Sequence, residues 1–126
     1  MRDVVTAFLL FAAFAGLFVY NSYAVNRCND DVEKHIIAAE LNIRDKDLSA
    51  VEDNTKKAAD TWSKRRKMLM YVYNHSRIDR IDTAIFETMQ YVRSGDYERA
   101  MFMMEESRFF LADLKNHEKF TMDNIF

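Results

Sequence analysis

The chain has 126 residues, 18 of them Lys or Arg and 20 Asp or Glu, giving a formal charge of -2. The two signs are interspersed, so the chain offers no basic footprint for nucleic acid. With no proline, two glycines and one cysteine, the composition argues against a strand-rich fold, an intrachain disulfide framework and a cysteine-based zinc site, and leaves helices as the default.

Val4 to Tyr20 read VVTAFLLFAAFAGLFVY, and no residue from Val4 to Asn26 is charged. Seventeen residues can just span a hydrocarbon core, and Asn21 to Tyr23 bring the stretch to the roughly 20 that such a core requires. Tyr20 and Tyr23 suit the interface. The competing reading is a signal peptide cleaved after Ala24. The apolar run exceeds a usual signal-peptide core, and Arg2 is offset by Asp3, which favours an uncleaved anchor. The expected division is therefore an anchor (or signal peptide) over 1–25 and an extracytoplasmic helical domain over 26–126. The flanking charges hardly decide the orientation; the outside placement follows because short N-terminal tails stay in the cytoplasm behind a signal anchor. Arg27 argues against lipidation of Cys28, which outside the cell either bridges two chains or remains an inert thiol. Ala12 and Gly16 form a small-xxx-small pair through which two anchors can approach.

The polar stretch Asn21 to Asn29 reads as a short linker, with Asn29 capping the helix after it. Val32, Ile36, Ala39 and Ile43 form the stripe of this first domain helix, with Asp30 and Asp31 in its first turn. After Arg44-Asp45-Lys46-Asp47, Asp47, or Ser49 with Glu52, caps a second helix carrying Leu48, Val51, Ala58, Trp62, Leu69 and Val72. The phase then changes, with Tyr71, Ile78, Ile81, Ile85 and Val92 on one face, and Ser76 with Asp79 marks a third helix from about Arg77 to Arg93. Ser94-Gly95-Asp96 is the clearest turn, and a fourth helix runs from Tyr97 to about Lys119, with Ala100, Met104, Leu111 and Leu114 on its stripe.

The two turns match at an offset of 49 residues, Arg44-x-x-Asp47-Leu48-x-x-Val51 against Arg93-x-x-Asp96-Tyr97-x-x-Ala100. This predicts two helical hairpins and an all-α, antiparallel four-helix bundle behind the anchor. The alternative is one long bent central helix, with the second and third helices continuous and two shorter helices packed on it.

His75 lies 20 residues before Gly95 and His117 lies 22 after it, each with an aspartate four residues away, Asp79 and Asp113. Two imidazoles and two carboxylates at one end of a bundle are a ligand set acceptable to a divalent metal; the alternative is that they cap helix ends or bond within each pair. Lys64-Arg65-Arg66-Lys67 is the only basic run, either a solvated face or a contact for anionic lipid or wall polymer. Arg65 extends the stripe of Ala58 and Trp62, which predicts a partly buried stem. Phe102 and Phe109, seven apart and off the main stripe, either fill the interior or mark a surface for another protein. No serine, cysteine or carboxylate sits in a recognised nucleophile or acid/base motif, and the one glycine of the domain leaves no phosphate-binding glycine loop, so an enzyme is the least favoured class and no cofactor is implied.

With Trp62, the His75-x-x-Ile78-Asp79-x-Ile81 segment, the Ser94-Gly95-Asp96 turn and the terminal Asp123-Asn124-Ile125-Phe126, the chain resembles the bacterial DUF4363 family. The resemblance implies a small membrane-anchored helical protein of unknown function, common in Gram-positive bacteria, and carries over no catalytic residue. The leading expectation is an accessory or interaction protein whose bundle docks to a membrane partner or to a second copy, with Phe102 and Phe109 on the contact surface. The rival is an extracytoplasmic ligand- or metal-binding sensor using His75, Asp79, Asp113 and His117.

Overall fold

The structure is a computed structural model describing residues 1–72 and 75–125. The side chains at 22, 24, 25, 28, 72 and 118–125 lie outside the described set. With them go the Cys28 thiol, the place of Val72 in the second stripe, and the Asn124-Ile125-Phe126 end. Among the described residues four helices occur in order: α1 over Arg2–Arg44, α2 over Leu48–Val72, α3 over His75–Ser94 and α4 over Tyr97–Ile125. No strand occurs among the described residues.

The expected linker is absent. Helix α1 runs without a break through Asn21 to Asn29, because that stretch contains neither glycine nor proline and polar residues alone cost a helix little. Asn29 does not cap a helix. It is buried inside α1, and its amide has no hydrogen-bond partner among the described residues. The first 20 residues of α1, Arg2–Asn21, have a mean hydropathy of 2.0 and none of them is buried. At about 1.5 Å per residue this segment is long enough, and apolar enough, to cross a bilayer.

The rest of α1 pairs with α2, α3 pairs with α4, and the hairpins join through α2 against α3 and α1 against α4. No contact joins α1 to α3 or α2 to α4 among the described residues, which is the ring of an up-and-down four-helix bundle. Trp62 and Asp82, 20 residues apart, touch across α2 and α3. In one continuous helix they would stand about 30 Å apart, so the chain folds back and the long-central-helix alternative is excluded.

The offset of 49 residues proves to be structural. Val32 and Ile81, Ile36 and Ile85, Val51 and Ala100, and Trp62 and Leu111 are all buried, pair by pair. The turns repeat as well. Lys46 N–H donates to Ile43 O at 3.2 Å and Asp47 N–H to Asn42 O at 2.9 Å, matching Gly95 to Val92 at 3.1 Å and Asp96 to Tyr91 at 2.9 Å. Both are Schellman stops, after which Asp96 accepts a hydrogen bond from Arg99 N–H to begin α4. Each stop needs a left-handed residue, Gly95 at φ 78° and Lys46 at φ 59°. Glycine takes that conformation freely and lysine does not. Lys46→Gly is therefore expected to raise the unfolding free energy by about 0.5–1 kcal/mol, read by urea denaturation. Nothing lies within 4 Å of a Cβ added at Gly95, so Gly95→Lys should cost a similar amount through the backbone alone.

The core is the continuous seam of Val32, Ile36, Ile81, Ile85, Met104 and Leu114 with their neighbours. The buried hydroxyls of Thr55, Thr88 and Ser107 donate to carbonyls one turn back, Val51, Ala84 and Met103, which satisfies them without a partner helix.

Candidate functional site

Helix α4 spends Ala100, Met104, Ser107, Leu111 and Leu114 on the core. At about 100° per residue, Phe102 and Phe109 then fall on the opposite side. They are 66% and 69% exposed, so the interior-filling reading of these residues does not hold. Phe109 meets the edge of Phe110 with ring centroids 5.9 Å apart, and Phe110 packs onto the core. The outward ring is thus held from beneath. Phe86 on α3 is a further exposed aromatic. It rims a groove of about 640 Å³ between α2 and α3, and its place off the stripe of Ile78, Ile81, Ile85 and Val92 is the signal that could have found it.

The four residues proposed for a metal are not gathered. Residues equally distant from Gly95 do lie side by side, but the partners so delivered are Arg77 and Asp113, which form an ion pair. Asp79 faces Arg66 at 3.9 Å. His75 and His117 are exposed, and among the described residues no group of three or more His, Cys, Asp or Glu side chains can hold a metal ion. Both aspartates of the proposed set are turned to guanidinium groups.

Two polar clusters are tied into the packing. Trp62, 3% exposed, donates from Nε1 to Asp82 Oδ1 at 2.6 Å, while the other Asp82 oxygen receives Arg66 Nε. Arg66 is half-buried and Arg65 is exposed, the reverse of the sequence expectation, because Asp82 lies on the α3 side and draws the residue one turn beyond Trp62. On the opposite seam Arg108 Nε stands 3.0 Å from the buried Glu40 Oε1. This particular pair of atoms is not aligned for a hydrogen bond, although Arg108 acts on the Glu40 carboxylate both by its charge and by side-chain hydrogen bonding. Burial pushes the Glu40 carboxyl above its ordinary value, the Arg108 charge and hydrogen bonding from Arg108 oppose that shift, and Glu105 and Arg44 exert smaller effects of opposite sign.

A second cavity, of about 480 Å³, opens where α1 leaves its apolar stretch; Tyr20, Tyr23, Arg27, Lys64 and Arg65 contribute to its lining. It joins the basic run of α2 to Tyr20 and Tyr23 of α1.

The family model described as a domain of unknown function, DUF4363, matches residues 18–125. The chain belongs to DUF4363. The DUF4363 match takes in Asn21 to Asn29, so the family's own domain includes the stretch of α1 that joins the apolar segment to the bundle. No curated protein and no solved structure matches the chain.

Proposed function

We propose that this DUF4363 protein is a membrane-anchored interaction protein, with Arg2–Asn21 crossing the bilayer and the bundle outside the cytoplasm presenting the outer face of α4 to a protein partner in the same membrane. The observation that supports this best is the placement of Phe102 and Phe109, two large rings two-thirds exposed on the face opposite a complete core. Scattered exposed apolar residues need no explanation, but two rings on one stripe, one braced by Phe110, have the form of an anchor pair for a partner helix. Their height is bounded. Lys115 meets Asp30 at 3.3 Å, which places the rings roughly 20–35 Å above the end of the apolar stretch by helical rise.

Phe102→Glu and Phe109→Glu are expected to abolish crosslinking and co-purification of the partner from membranes while leaving the circular dichroism spectrum unchanged. Two differently tagged copies in one membrane separate a foreign partner from a second copy. Unchanged partners in a folded double variant would remove the proposed surface.

A further inference from the structure

We propose that the cavity at the foot of α2 binds the phosphate of an anionic glycerophospholipid, a role that rests on reading Arg2–Asn21 as a membrane anchor. Arg27, Lys64 and Arg65 bring three positive charges to its lining, and Asp31 one negative charge. None of the three cations makes an ion pair among the described residues. The groove between α2 and α3 is different, since its Arg66 and Arg93 face Asp82 and Glu52. Tyr20, Tyr23 and Thr61 add hydroxyl groups to the lining, so the cavity combines forked and point cations with neutral donors, the set that recognises a phosphate monoanion.

Depth decides the source of that phosphate. Because α1 is unbroken, Arg27 stands about 9 Å along the axis from Asn21. The headgroup layer is several ångströms thick on each side of the hydrocarbon, and Tyr20 and Tyr23 mark its inner edge. The antiparallel return of α2 carries Lys64 and Arg65 to the same level. A lipid phosphate beside α1 therefore reaches the cavity without leaving the bilayer.

The test reconstitutes the full chain in bilayers of phosphatidylcholine with phosphatidylglycerol, releases it in mild detergent, and counts retained lipid by native mass spectrometry. The wild-type chain is expected to retain phosphatidylglycerol selectively, and Arg27→Ala with Arg65→Ala to lose retention by about fivefold per cation. Arg27→Lys with Arg65→Lys, which keeps the charge and removes the forks, should fall between them. Lys46→Gln, at the far turn, should retain lipid as the wild type does. Equal retention by the double alanine variant, or an equal loss in Lys46→Gln, overturns the site. Millimolar inorganic phosphate that binds with the same arginine dependence and displaces the lipid assigns the cavity to free phosphate and overturns the lipid. Extraction of the wild-type chain from membranes by alkaline carbonate overturns the anchor and the site together, whereas a firmly inserted chain with no lipid preference overturns the site alone.

Discussion

Trp62→Ala is expected to lower the free energy of unfolding by about 3–5 kcal/mol, the range for removing a large buried aromatic. For a domain of this size that is a large fraction of the total, commonly about 5–15 kcal/mol. Two losses combine. The indole fills the junction of α2 with α3, and its Nε1 leaves Asp82 with only Arg66 as partner. Trp62→Phe separates them, since it keeps most of the ring and removes the donor, and it should cost far less. Asp82→Ala takes the other side of the bond and leaves a buried N–H without its acceptor, worth about 1–3 kcal/mol. Urea denaturation of the detergent-solubilised chain, monitored by far-ultraviolet circular dichroism, reads all three. If Trp62→Ala cost less than Asp82→Ala, the side chain would not be packed as described.

Arg108→Ala should be the next most damaging, and its cost should depend on pH. Breaking a fully buried ion pair costs about 3–5 kcal/mol; Arg108 is 34% exposed on its side chain, so the lower end or less applies here. Glu40 is the buried partner. Its folded-state carboxyl titrates above the ordinary 4.5 because burial disfavours the anion. Between that ordinary value and the raised one, the folded chain holds a proton that the unfolded chain has released, so stability falls as pH rises through the window. Removing Arg108 deletes the charge that opposes the shift and widens the window upward. The cost of Arg108→Ala is thus expected to be largest above the raised Glu40 value and to shrink as pH falls toward the ordinary 4.5. Glu40→Gln should flatten this dependence, and the double variant should recover part of the loss at neutral pH. A cost of Arg108→Ala that is independent of pH would show that Glu40 is solvated.

The legible parts of this protein are those in which one helix or one turn carries its own signal. Gly95 and Asp96 announce a stop and a start, and the matching turn at Lys46 and Asp47 reveals the duplication even though lysine stands where glycine belongs. The stripes through Ile36, Trp62, Ile85 and Met104 are the core. The DUF4363 resemblance, carried by landmarks spread along the chain, agrees with the family match over 18–125.

The parts that sequence alone conceals depend on neighbours that local spacing does not specify. Polar composition at Asn21 to Asn29 looks like a linker, although only a breaker would have ended the helix. Arg65 and Arg66 differ by one position on α2, and the choice between them is made by Asp82 on another helix. Equal distance from a turn predicts which positions meet, and at Gly95 it delivers Arg77 to Asp113; the same rule centred on Val72 would have paired Trp62 with Asp82. No such rule reaches Glu40 and Arg108, which meet across the seam where the first and last helices close the ring. Phe102 and Phe109 are ambiguous on their own because α4 carries apolar residues on several faces, and only a filled core decides which of them remain outside.

The unbroken α1 fixes the azimuth of the bundle as well as its height. Counting about 100° per residue along the helix, the seam of Ala12 and Gly16 points roughly opposite to the side on which Val32 and Ile36 meet the other helices. Two such masts pressed together along that seam would hold their cargo back to back. Helices paired along that seam would meet again higher up, where the exposed Ile37 and Leu41 lie on the same side of α1, and a turn of the apolar stretch about its axis would swing the whole bundle instead of being absorbed in a loose joint.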